Sequence, residues 1–300
     1  MSPEPALLPA ADEEVPAFWE SLGIPGLIDV HVHFLPPPIM TRVWEHFAAR
    51  GPLIGMEWPI TYKWPDGDRV AHLRAMGVRR FGALPYAHKP GVAAYLNDWA
   101  RAFAETHPDN LRSATFYPEP AAADYVPALV DDGVAVFKVH VQVGDFDLGD
   151  QALVPVWQAL EAAGTPVVIH AGSGPVANSH TGPGPVAGLL ARHPRLVAVM
   201  AHCGAPEYAE FLQLAEQYER VHLDTTMVFT PFFEKLAPFP AKLLPRLAAL
   251  QDKTLLGTDF PNIPYSYAVQ LASLSGQGLG SDWLRAVCWH NPARLFGIAH

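Results

Sequence analysis

His31 and His33 stand in the run Asp29-Val30-His31-Val32-His33, directly after Gly26-Leu27-Ile28. Side chains two apart on a β-strand share a face, so both imidazoles would leave the strand together. Two neutral imidazoles held in this way suit a borderline divalent cation such as zinc. An isolated His-x-His pair is common by chance, so its meaning depends on what the rest of the chain supplies. Four further apolar runs finish in ionisable groups: Phe137-Lys138-Val139-His140, Val167-Val168-Ile169-His170, Ala198-Val199-Met200-Ala201-His202 and Leu255-Leu256-Gly257-Thr258-Asp259. Two histidines on one strand, one on another and an aspartate elsewhere make a ligand set for zinc or a similar ion. Coordination would also satisfy a carboxylate that is otherwise costly beside an apolar strand.

Each position has a plainer reading. His170 or His202 could be a core histidine bonded to backbone, and Asp259 could cap the segment after its strand. Asp29 lies two residues before His31 on the same face and would brace the ligands from behind. Lys138 and His140 share a face by strand parity; either could meet a substrate, or Lys138 could pair with Asp29 or Asp224. Gly172-Ser173-Gly174-Pro175 would make a tight turn whose N–H groups suit an anion, a simple turn being the commoner outcome. Cys203 should point away from His202, which argues against a Cys-His nucleophile. Gly172-Ser173-Gly174 lacks the spacing of a Gly-x-Ser-x-Gly elbow. His46, His72, His88, His107, His193 and His222 fall in helices, loops or element edges and read as surface or structural.

The elements that must carry these residues alternate. Strands are expected at Leu27–His31, Val78–Leu84, Leu111–Tyr117, Val134–Val139, Pro166–His170, Leu196–Ala201, Val221–Asp224 and Lys253–Thr258. The clearest helices lie at Val92–Glu105, Ala152–Ala163, Pro185–Arg192 and Pro206–Tyr218, with Asp150 as a helix start and Gly164 as a stop. Eight strand–helix units in this length predict an α/β fold, a closed (β/α)8 TIM barrel whose chemistry sits at the C-terminal ends of its strands. A doubly wound sheet is the rival, weakened because no Gly-x-Gly-x-x-Gly follows the first strand. Residues Phe34 to Trp64 are too long for a plain connection. They carry Pro36-Pro37-Pro38, Trp44, Trp58 and Trp64, and read as a cap-like insertion with a helix near Ile39–Arg50. Its aromatics would line a substrate pocket or pack the insertion onto the barrel. No repeat or linker divides residues 1–300, so a single domain is expected.

Composition narrows the partners. The chain has 300 residues, 50% hydrophobic, with 20 basic and 30 acidic residues and a formal net charge of -10. An acidic surface argues against nucleic acid and anionic membranes. Two cysteines, Cys203 and Cys288, lie in apolar runs and read as buried free thiols. The stretch Met1 to Ala17 lacks the charged and apolar regions of a signal peptide, and no apolar run reaches a membrane span, so the cytoplasm is the default.

In their order, these motifs resemble the amidohydrolase superfamily, and within it the amidohydrolase-related family that includes aminocarboxymuconate-semialdehyde decarboxylase. The matching pieces are Ile28-Asp29-Val30-His31-Val32-His33, Val168-Ile169-His170, Met200-Ala201-His202-Cys203-Gly204, Gly257-Thr258-Asp259-Phe260-Pro261 and Asn291-Pro292-Ala293-Arg294-Leu295-Phe296-Gly297. The resemblance implies a metal-binding barrel with His31, His33, His170 and Asp259 as ligands and His202 as a catalytic residue. It implies one divalent ion, zinc in first place and manganese as the alternative; Lys138 would matter as a ligand only with a second metal. The expected reaction is hydrolysis of an amide, ester or lactone of a small organic acid. Asp259 would shuttle the proton and His202 would bond the carbonyl oxygen. Non-oxidative decarboxylation of a small aromatic or unsaturated acid is the alternative, disfavoured by the scarcity of basic residues at the strand ends. A metal-dependent binding protein without catalysis is a third. The expected partner is a small-molecule substrate, and a homodimer is compatible with such a barrel.

Overall fold

Short, mostly apolar runs form the strands, and most of their residues are buried, as a parallel sheet covered by helices requires. A computed structural model describes residues 7–299. Among them nine strands follow one another: β1 (Leu27–Val32), β2 (Val78–Ala83), β3 (Asn110–Leu111), β4 (Ser113–Thr115), β5 (Val136–His140), β6 (Val167–His170), β7 (Ala198–Met200), β8 (Val221–Asp224) and β9 (Thr254–Leu255). The contacts fall into two compact units.

One unit comprises residues 7–33, 37–81 and 225–299. All six residues of β1 are buried. Its alternation puts Ile28, Val30 and Val32 on one face and Asp29 and His31 on the other, with His33 continuing the polar row. β1 lies beside β2, and Leu27 N–H donates to Gly77 O at 2.9 Å. On its other side Val30 N–H reaches Leu256 O at 2.9 Å, and Val32 forms a parallel bridge with Phe260. The helix expected at 39–50 runs over Pro37–Ile54. Proline fits a first turn, where its missing N–H has no intrahelical partner, so the Pro-rich stretch starts the helix early. The strand expected at Lys253–Thr258 shortens to β9. Gly257 N–H turns to Thr225 Oγ1 (3.3 Å), and the Thr258 hydroxyl turns to Asp29.

The other unit comprises residues 34–36 and 82–224, with β4, β5, β6, β7 and β8 parallel and side by side in chain order. The register sets Lys138 opposite Val168 and His140 opposite His170. Helix Val92–Thr106 buries Ala93, Leu96, Ala100 and Phe103, a 3.6-residue stripe. From that face Asn97 clamps β4, accepting from Thr115 N (2.8 Å) and donating to Thr115 O (2.9 Å). The single strand expected at Leu111–Tyr117 divides into β3 and β4 at Arg112. Its carbonyl accepts from both Ala135 and Val136 N–H, and its guanidinium pairs with Asp132. Asp150 caps the turn before helix Val154–Ala163, and Gly164 ends that helix at φ 68°.

Candidate metal centre

In the first unit, the row of polar residues along β1 meets the loop after β9. His33 Nε2 lies 3.0 Å from Asp259 Oδ1 and His31 Nε2 lies 3.6 Å from it. The two imidazole rings stand 5.1 Å apart, nearly perpendicular. One ligand atom from each of the three residues falls within 4.8 Å of the others, and all three residues are buried. Two imidazoles and a carboxylate, shielded from water and converging on one point, form a donor set that fits a zinc- or manganese-like cation.

The backbone explains this convergence. Asp259 has φ 69°, in the left-handed region that aspartate tolerates better than most residues. Its N–H donates to His31 O (2.9 Å), and its own carbonyl accepts from Asn262 N–H (2.8 Å). His33 N–H donates to Phe260 O at 2.7 Å. The aspartate is therefore bonded to the strand that carries both histidines.

Behind this trio, Asp29 is fully buried and accepts hydrogen bonds from His31 N–H (3.1 Å), the Thr258 hydroxyl (2.6 Å) and the Tyr267 hydroxyl (3.0 Å). Burial and the charge of Asp29 push the Tyr267 phenol well up, so it stays a neutral donor. Asp29 thus ties a histidine of one strand to the residue before Asp259. Tyr267 comes from helix Tyr267–Ser275, and nothing in its sequence context marks it as a partner. Thr258, in Gly257-Thr258-Asp259, was visible only as part of a motif.

The second unit gathers another set. The rings of His140 and His170 stack at 3.8 Å and 14°, as the register of β5 against β6 requires. His202 meets His170 edge-on at 4.7 Å, and Tyr86 lies 5.4 Å from His140. His140 Nδ1 accepts from Val143 N–H. Lys138, one turn of the pleat deeper, is fully buried. His202 and Cys203 both have positive φ, 55° and 50°, at a left-handed turn completed by Gly204. The His202 N–H donates to Asp224 Oδ1 (2.9 Å), and Cys203 Sγ points to Asp224 O (3.2 Å), away from any role beside the histidine. The loop at Gly172-Ser173-Gly174 does meet an anion, but an internal one: Ser173 N–H donates to Glu207 Oε2 at 3.0 Å, and its hydroxyl bonds the same carboxylate. Of the remaining histidines, His72 bonds Asp12 and His193 bonds Glu161.

The chain is similar in fold to an uncharacterized TIM-barrel protein from Bordetella bronchiseptica (TM-score 0.69, 19% identity, covering 90% of this chain and 99% of that one). It is also similar to 5-carboxyvanillate decarboxylase from Novosphingobium aromaticivorans, complexed with manganese and 4-hydroxy-3-methoxy-5-nitrobenzoic acid (TM-score 0.57, 13% identity, 92% and 97% covered). A third is a protein assigned as 2-pyrone-4,6-dicarboxylic acid hydrolase from Pseudomonas putida (TM-score 0.60, 17% identity, 91% and 98% covered). These likenesses give the fold, an α/β TIM barrel, as the strand–helix alternation predicted. No curated protein matches the chain. Among the described residues no helix is long and apolar enough to cross a membrane. The family described as Amidohydrolase matches residues 28–298, from the strand bearing His31 and His33 to the closing Asn291–Leu295 helix, and the chain belongs to that amidohydrolase family.

Proposed function

We propose that this chain is a metal-dependent hydrolase acting on an amide, ester or lactone of a small organic acid. The observation that carries the reading is the buried trio His31, His33 and Asp259, whose ligand atoms lie within 4.8 Å of one another. These residues would hold one divalent ion, with zinc favoured by the two imidazoles and manganese as the alternative. When bound, such an ion supplies Lewis acidity, which polarises a substrate oxygen and acidifies water.

The chain's own residues do the rest. Asp259 accepts the proton of the attacking water and returns it to the leaving nitrogen or oxygen. Asp29 keeps Asp259 in place through Thr258 and through the backbone of His31. From their motifs, His170 is proposed as a further ligand and His202 as the donor that meets negative charge on the carbonyl oxygen. Lys138 and His140 are proposed to face the substrate. Decarboxylation is the second reading, supported by the likeness in fold to a decarboxylase that binds manganese.

Metal analysis of the pure protein, followed by a panel of small acids and their amides, esters and lactones, tests both readings. Hydrolysis predicts product without carbon dioxide; carbon dioxide release from an acid selects the second reading. Replacing His31 and His33 with alanine should abolish bound metal, and unchanged metal content sinks the assignment. His202→Asn should slow turnover by about 10²–10⁴-fold while metal stays bound. Loss of metal instead would make His202 a ligand.

A further inference from the structure

Asp259 sits in an unusual backbone conformation, and a side chain held there depends on what surrounds it. Its carbonyl accepts from Asn262 N–H at 2.8 Å. Asn262 is 1% exposed, and two of its other polar atoms are engaged by indoles. Trp44 Nε1–H donates to Asn262 Oδ1 at 3.1 Å, and Trp58 Nε1–H donates to Asn262 O at 2.8 Å. One residue on, Thr61 N–H donates to Ile263 O at 2.9 Å. An indole N–H can only donate, and a buried one needs an acceptor. Two tryptophans of the segment after β1 thus spend their polar atoms on a single residue of the Asp259 turn.

Both tryptophans are themselves fixed. Trp58 packs against Phe47 (4.9 Å) and Phe232 (4.8 Å). The Arg69 guanidinium lies over the Trp44 ring at 5.5 Å. From the strand side, Asp259 N–H is held by His31 O, and Phe260 O is held by His33 N–H. The turn is gripped on one side by the strand of the two histidines and on the other by the segment between β1 and β2.

We propose that Trp44 and Trp58 are positioning residues for Asp259, acting through Asn262, so that the segment between β1 and β2 helps set the geometry of the metal ligands. This rests on the reading of Asp259 as a metal ligand. Groups one step removed from a ligand commonly govern affinity by 10- to 100-fold. The indoles act one step further out, so about 10-fold is expected for each.

The test is titration of the chelator-stripped full-length protein with Mn2+, following free Mn2+ by electron paramagnetic resonance. Trp44→Phe and Trp58→Phe keep the ring and remove only the donor. Each should raise the Mn2+ Kd about 10-fold and lower kcat more than it raises KM. Asn262→Leu combined with Trp44→Phe should be no worse than Asn262→Leu alone, because both remove the same bond. Trp19→Phe is the control; it deletes a bond from an indole to Met76 O, far from Asp259 in sequence, and should leave Kd unchanged. Unchanged Kd and kcat in both tryptophan variants overturn the proposal when Asp259→Asn does weaken Mn2+ binding. If Asp259→Asn binds Mn2+ as tightly as the unaltered protein, the ligand assignment itself fails and the proposal falls with it.

Discussion

At the residue scale, the left-handed turn after β7 carries the clearest consequence. Gly204 has φ 76°, and a Cβ built there would lie 2.0 Å from the Phe211 ring. Both the backbone and the space exclude a side chain. Gly204→Ala should therefore cost about 2–4 kcal/mol in denaturant unfolding, more than a surface substitution, and a loss below about 0.5 kcal/mol would contradict the geometry. Chemistry at the neighbouring thiol is equally constrained. Burial pushes Cys203 and Cys288 up, with the charges of Asp224 and Asp29 adding to it. Only the thiolate is nucleophilic, so both thiols should ignore a disulfide reagent in the native protein and titrate on unfolding. Rapid native labelling would overturn this. The pair His31 and His33 was legible from spacing alone, because period-two alternation puts them on one face whatever surrounds them. The positive φ of His202 and Asp259 was not, since neither residue type requires it.

Elements are joined here by polar networks that periodicity does not reveal. Asp12 opens the short 3-10 turn Asp12–Glu14, and its carboxylate accepts from Tyr62 Oη and from Ala268 N–H (2.9 Å) and meets His72 Nε2 at 2.8 Å. Tyr62 Oη in turn accepts from Tyr267 N–H at 2.6 Å. One carboxylate thus ties four stretches of chain that are up to 256 residues apart. Burial alone would raise the Asp12 pKa, but the bonds from His72, Tyr62 and Ala268 outweigh it and hold it below its ordinary 3.8. A depressed folded-state value means the stabilisation is complete above the ordinary value and fades as pH falls through the folded one. Asp12→Asn should cost about 2 kcal/mol at neutral pH, with the gap to the unaltered protein narrowing below about pH 4. A gap that stays constant from pH 7 to pH 3 would show that the charge contributes nothing. The strands themselves were legible because apolar runs need no partner to be recognised. The break between β3 and β4 was not: it lies at Arg112, whose carbonyl takes the N–H groups of Ala135 and Val136 and whose guanidinium pairs with Asp132, and long-range pairs leave no local periodicity.

At the scale of the whole molecule, the eightfold alternation of strand and helix was sufficient to predict the barrel, and ligand binding should be readable in its stability. An ion bound by the native state and not by the unfolded chain stabilises by RT ln(1 + [L]/Kd), about 2.7 kcal/mol at a hundredfold excess over Kd. For a chain of this length that corresponds to a rise in Tm of roughly 5 °C. Stripping the metal with a chelator should lower Tm by this amount, and adding Zn2+ or Mn2+ should restore it. The same titration on His31→Ala should show no metal dependence, because the variant removes a donor whose partners, His33 and Asp259, converge within 4.8 Å on the same point. Its Tm without metal should lie near that of the stripped protein, since its loss is of a ligand and not of the strand that β1 forms with its neighbours. A Tm indifferent to a chelator that demonstrably removes the ion would contradict preferential binding to the native state. A His31→Ala variant that keeps the full metal-dependent rise would show that the trio is not the place where metal binds, and would direct the search to the histidines of β5, β6 and the turn after β7.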